Sequence, residues 1–104
     1  MNASSDDLVA AGQMSTLFDL GRPQDFVAIY LLLRDGRYTR ERLAELLRAR
    51  DVGYDPFFFA GLLAELPHIP DQDFAPYCLD ELEIAIMRAR FADWYRSLVG
   101  AGIP

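Results

Sequence analysis

The sequence predicts an all-α protein, a compact bundle of about five helices with no sheet, and three observations carry that prediction. Apolar residues recur at intervals of three and four through most of the chain. Glycines and prolines interrupt the recurrence at about one helix length. Serine, threonine or aspartate stands ahead of the segments so marked, where a side-chain oxygen can accept from the unpaired N–H groups of a first turn.

The first segment runs from about Ser5 to Leu20. Ser5, Asp6 and Asp7 can cap its start, where acids oppose the positive end of the helix dipole, and Gly21 ends it. Gly12 in its interior weakens it by about 1 kcal/mol relative to alanine. The second segment starts at Pro23, which suits a first helical position because its missing N–H has no partner there anyway. It continues to about Arg34, and the "DGR" at 35 to 37 closes it. Phe26, Ile29, Tyr30 and Leu33 share one face, yet Val27, Ala28, Leu31 and Leu32 make the other faces apolar too. A helix apolar all round is central. A buried strand competes for "FVAIYLLL", since periodicity alone does not separate the two.

Thr39 caps a third helix, "RERLAELLRAR", with Leu43, Leu46 and Leu47 inward and its charges outward. In "DVGYDP" Gly53 takes the C-cap role, and Asp55 and Pro56 form the cap and first residue of a fourth helix. That helix carries Phe57, Phe58, Phe59, Leu62, Leu63 and Leu66 and stops before Pro67. The proline-rich stretch "PHIPDQDFAPYC" reads as an ordered loop anchored by Ile69, Phe74 and Tyr77. The last helix opens at "LDELE", where Asp80 and Glu83 have capping-box spacing, and Gly100 and Gly102 finish it. Ile84, Met87, Phe91, Trp94 or Tyr95, and Leu98 line its inner face, and Arg88, Arg90 and Arg96 read as solvated.

Length and charge narrow the function classes. The 104 residues fit a single domain spanning 1–104. All 10 basic residues are arginine, and the net charge is −6. That balance argues against direct binding to a nucleic-acid backbone, which needs a cationic surface. Cys78 is the one cysteine and forms no internal disulfide, so a reducing cytoplasm is the default compartment. The N-terminus lacks the basic flank and apolar run of a signal peptide, and no apolar run approaches the ~20 residues that span a bilayer.

Chemistry-bearing motifs are sparse. There is no GxGxxG, no GxxxxGK[ST], no HExxH and no cysteine–histidine cluster, so neither a cofactor nor a metal site is expected. His68 and Cys78 lie in one loop region, but a lone pair of this kind reads as structural. Asp71 and Asp73 have the two-apart spacing of metal-binding acids on a strand. They follow Pro70, however, where aspartate is an ordinary turn residue. Tyr77, Phe91, Trp94 and Tyr95 offer a surface for stacking bases, though at helical spacing they read as core.

Two stretches, "DDLVAAGQMSTLFDLGRPQDFVAIYLLL" and "LRARDVGYDPFFFAGLLAELPHIPDQDF", carry a resemblance over residues 7 to 75. They resemble the C-terminal helical half of the AbiEii/AbiGii family, nucleotidyltransferase-like toxins of bacterial toxin–antitoxin and phage-abortive systems. That half reads as a helix with a lysine before "LxALF", an arginine–aspartate pair leading "FVDLY", and later "KDPGFDPY" and "PDEDF". The resemblance places the lysine at Gln13, the arginine at Gln24, the aspartate at Asp25 and the second acid at Ala28. It implies Gln13, Gln24 and Asp25 as nucleotide-contacting positions, and Asp25 as a catalytic residue if the active site is split between chains. The family's N-terminal lobe, with its glycine–serine turn and metal-binding acids, would have to precede residue 1 or come from another polypeptide. Without paired acids to hold Mg²⁺, phosphoryl transfer loses its main electrostatic stabilisation, so the isolated chain is not expected to be an enzyme.

Two functional expectations follow. The first is a non-catalytic or partner-dependent helical domain acting by protein–protein contact, with a protein partner or homodimer using Phe57, Phe58, Trp94 or Tyr95. The alternative is one subunit of a split nucleotidyltransferase whose catalytic lobe is a separate chain. Asp25 divides the two, since a carboxylate near a helix start is also an ordinary cap, gaining about 0.3–1 kcal/mol from the dipole.

Overall fold

The computed structural model describes residues 5 to 101, and every regular element among them is helical. Five α-helices follow in order: α1 Ser5–Leu20, α2 Pro23–Arg34, α3 Arg40–Arg50, α4 Pro56–Leu63 and α5 Glu81–Ala101. The helical segments exceed the expected five, because the stretch between α4 and α5 is itself wound into 3-10 turns at Leu66–His68 and Asp71–Tyr77. Contacts group the chain into two units, Met1–Tyr54 and Asp55–Pro104.

In the first unit α1 packs on both α2 and α3. Ala10, Ala11, Met14 and Leu17 supply its buried stripe, with small residues where the helices approach. Gly21 adopts φ 58° and its N–H donates to Leu17 O at 2.9 Å, which ends α1 as expected. The strand alternative for 26 to 33 does not hold: this stretch is the body of α2, which buries Phe26, Ile29 and Tyr30. Its other flank is less central than the composition suggests, for Leu31 and Leu32 are only half-buried. Gly36 at φ 73° turns the chain after α2. Thr39 Oγ1 accepts from Arg42 N–H at 3.1 Å and starts α3, whose Leu43, Leu46 and Leu47 are buried. Gly53 is not the left-handed cap expected of it. Asp51 ends α3 in extended backbone, and its Oδ1 accepts from Gly53 N–H at 2.9 Å.

The acids at the start of α1 do more than oppose its dipole. Ser5 is the first helical residue, and Asp6 and Asp7 reach across to the segment ahead of α3. Asp6 pairs with Arg37 at 3.0 Å, while Asp7 accepts from Tyr38 Oη at 2.7 Å and from Arg42 Nη2 at 3.0 Å. The hydrogen bond to Asp7 comes first in raising Tyr38 above its ordinary pKa of 10.0, followed by burial and the negative charges of Asp7 and Asp6. The folded state therefore holds the phenolic proton more tightly than the unfolded chain does. This contribution is complete below about pH 10 and is lost as pH rises through the folded value. An alkaline titration followed by the Tyr38 ring NMR signals is expected to show it ionising above its ordinary pKa of 10.0. Asp7→Asn should lower that midpoint; a wild-type Tyr38 that ionises at its ordinary pKa would contradict the contact.

In the second unit α4 packs on α5, and both 3-10 segments also lie against α5. Asp55 Oδ1 accepts from Phe57 N–H at 2.8 Å, and Pro56 takes the first helical position. The expected α4 reaches Leu66 but the observed one ends at Leu63, because Pro67 is accommodated in a separate 3-10 turn that buries Leu66. Phe74 is fully buried and anchors the second turn, which closes at Cys78 with φ 60°. Asp80 Oδ1 accepts from Glu83 N–H at 2.8 Å at the start of α5. Ile84, Met87, Phe91 and Trp94 form the buried stripe of α5, with Phe59 edge-on to Trp94 at 5.1 Å. Gly100 continues α5 rather than ending it, and Gly102 lies outside the described residues.

Arg88 overturns its reading as a solvated side chain. Its Nη1 donates to Leu66 O at 2.8 Å, and its Nη2 donates to Ile69 O at 2.7 Å and to Asp71 Oδ1 at 2.6 Å. The guanidinium also lies 5.5 Å from the centre of the Phe74 ring. One side chain of α5 thus clasps the proline-rich stretch at three acceptors. Asp71 is the anion of that clasp.

Candidate functional site

α2 begins one residue after Arg22, whose extended backbone exposes the first N–H groups of the helix. Asp25, in the first turn, reaches back to this N-cap residue. Its Oδ2 accepts from the Arg22 backbone N–H and from Arg22 Nε, both at 3.0 Å, and Oδ1 accepts from Arg22 Nη2 at 3.1 Å. The carboxylate is buried while the arginine is half exposed. Three of about four acceptor positions of the carboxylate are therefore filled, which leaves one on Oδ1. Asp25→Ala is expected to cost about 1–2 kcal/mol through loss of the cap and the fork, and Asp25→Asn about half as much. Urea unfolding measures both, and equal stability of Asp25→Ala and wild type would refute the bracing role.

Asp25 borders a concavity of about 350 Å³ lined by Val9, Gly12, Gln13 and Thr16 of α1, Ala28 of α2 and Arg50 at the end of α3. The lining spans more than forty positions of sequence and is closed by the packing of α1 on its two neighbours. Thr16 turns inward on its own helix, Oγ1 donating to Gly12 O at 2.9 Å. Gly12 leaves open space where a side chain would stand. Gln13 Oε1 is buried and has no hydrogen-bond partner among the described residues, an arrangement that costs about 1–3 kcal/mol until a donor fills it. Arg50 is exposed, with no ion pair among the described residues.

Of the positions implied by the resemblance, Gln13, Asp25 and Ala28 share this concavity. Gln24 is exposed and does not line it. Sequence reasoning missed Arg50 and Thr16. Arg50 carried one signal, a cation in the last turn of a helix, but its approach to Gln13 depends on the α1–α3 packing. Among the described residues no group of three or more histidines, cysteines, aspartates or glutamates is placed to hold a metal ion. No helix among them is long and apolar enough to cross a membrane.

Of the aromatic residues suggested for a contact face, Trp94 is excluded because it is buried in the second unit. Phe57, Phe58 and Tyr95 are exposed. That unit also carries a concavity of about 380 Å³, walled by Leu63, Leu66, Phe91 and Ala92, with Arg88, Tyr95 and Arg96 among its polar lining.

Compared with protein-family models, curated proteins and solved structures, the chain matches none.

Proposed function

We propose that the chain is a helical protein-contact domain similar to the C-terminal lobe of AbiEii-type nucleotidyltransferase toxins, without transfer chemistry of its own. One observation supports this reading above the rest. Three positions that the resemblance singles out, Gln13, Asp25 and Ala28, come from two helices and line one concavity. In that concavity the acid is held by Arg22, and the other two positions carry an amide and a methyl group. Nucleotidyl transfer requires a cation-bearing group on the phosphates and acids that grip a divalent metal. Neutral side chains at those two positions provide neither.

The test is direct. The purified chain, incubated with Mg²⁺ and radiolabelled nucleoside triphosphates in the presence of RNA and protein acceptors, is expected to transfer no label. Labelling above a heat-denatured control would overturn the reading.

A second reading, a subunit of a split nucleotidyltransferase, is favoured by Arg50 and the unsatisfied Gln13 Oε1 bordering the same space. An unpaired guanidinium is suited to a phosphate oxygen, and the amide oxygen to a base or ribose donor. Saturable shifts of the Gln13 side-chain amide on titration with Mg²⁺ and a nucleotide would favour this reading over the first. An unchanged spectrum would favour the first.

A further inference from the structure

Charge is distributed asymmetrically along the second unit. From Asp55 to Met87 there is no lysine or arginine, while the stretch holds seven acids. The same stretch presents its largest exposed rings at the start of α4, with Phe57 58% and Phe58 73% exposed. Asp55 precedes these rings across Pro56, and Glu65 is exposed two residues beyond the end of α4. α5 has the opposite character from Arg88 onward, with Arg88, Arg90 and Arg96 against Asp93.

The concavity of about 380 Å³ lies on this basic side. Its walls are apolar, and both of its charged lining residues are cations. Arg88 already has three acceptors, but Arg96 is 68% exposed on its side chain and, among the described residues, pairs with Asp93 alone, at 3.5 Å. An aromatic side chain flanked by carboxylates is the complement of such a groove, since the ring leaves water for apolar walls while the acids approach the arginine. This chain carries that complement on its own surface.

We propose that the groove between α4 and α5 receives Phe58 from a second copy of the chain, with Arg96 facing the acids that flank the inserted helix. Reciprocal insertion across a two-fold axis fills both grooves and closes the assembly at a dimer. The proposal deepens the protein-contact reading by naming the partner. The two fail separately, because label transfer would remove the first and leave the dimer intact, whereas a monomer overturns only the second.

Sedimentation velocity on the full chain over a wide concentration range tests it. The expected result is a concentration-dependent dimer that high salt weakens. Phe58→Ser and Ala92→Glu are each expected to weaken association by at least about tenfold, as truncation or blocking of a central anchor does. Both positions are exposed, so each variant is expected to keep its helices, which far-ultraviolet circular dichroism checks. Mixing the two variants should restore association, because one intact ring then meets one intact groove. A wild-type chain that stays monomeric overturns the proposal. So does a dimer that survives both substitutions, or a mixture that sediments as two monomers while wild type dimerises.

Discussion

Phe59→Ala is expected to destabilise the second unit by about 3–5 kcal/mol, the range for removing a fully buried aromatic side chain. Phe59 is 0% exposed and meets Trp94 edge-on, at an interplanar angle of 73°. Trp94 in turn stacks on Phe91, with centroids 6.1 Å apart and planes at 16°. The three rings join α4 to α5, so truncating the first leaves a void beside the second and forfeits an edge-to-face contact besides. Trp94 is the one tryptophan of the chain, so denaturant unfolding followed by its fluorescence reports on this unit directly. The neighbouring Phe58→Ala, on an exposed ring, should stay within about 0.5 kcal/mol of wild type when measured on the monomer. A loss below about 1 kcal/mol for Phe59→Ala would mean that the aromatic cluster does not hold the two helices together.

Arg88→Met carries the second large effect, about 2–3 kcal/mol, and its cause is polar rather than apolar. Methionine keeps most of the arginine stem against Phe74 but removes every donor. The Ile69 carbonyl then loses its Arg88 donor, the Leu66 carbonyl keeps only the Ile69 N–H at 3.1 Å, and Asp71 loses its cation. Arg88→Lys should recover part of the loss only, since an ammonium does not span acceptors set out for a planar fork. Amide hydrogen exchange separates this from general destabilisation. Protection between residues 66 and 77 is expected to fall before that of α5, as happens when a locally tethered segment opens by itself. Unchanged exchange in that stretch would show that its own 3-10 turns and the buried Phe74 suffice.

How far these features are readable from sequence depends on the range of the interaction behind them. Thr39, Asp55 and Asp80 are caps whose partners lie two or three residues away, and Pro23 and Gly21 act on their own backbone. Such positions are recoverable because the chemistry and the spacing occur in one short window. Arg88 is different. It shares its helix with Arg90 and Arg96, and nothing in α5 reveals that carbonyls 22 and 19 residues earlier accept from Arg88. Gly53 misled for a related reason: glycine near a helix end suggests a left-handed cap, yet Asp51 makes the turn through its side chain.

The concavity around Gln13 falls between these cases. Gln13, Asp25 and Ala28 could be listed through the resemblance, but no spacing rule brings Thr16 or Arg50 to them or excludes Gln24. The helical surface decides both. Gln24 sits in the same first turn of α2 as Asp25 but is exposed, whereas Asp25 and Ala28, three apart, face one way.

The brace at the start of α2 bears on how ancestry can be inferred from single residues. An acid tied to an arginine three positions earlier belongs to its own helical turn and asks little of the surrounding groove. Selection for helix stability alone would retain such an aspartate whatever its neighbours were. Its presence is therefore weak evidence about catalysis either way; positions without such a local tie, such as 13 and 28, are the more informative ones.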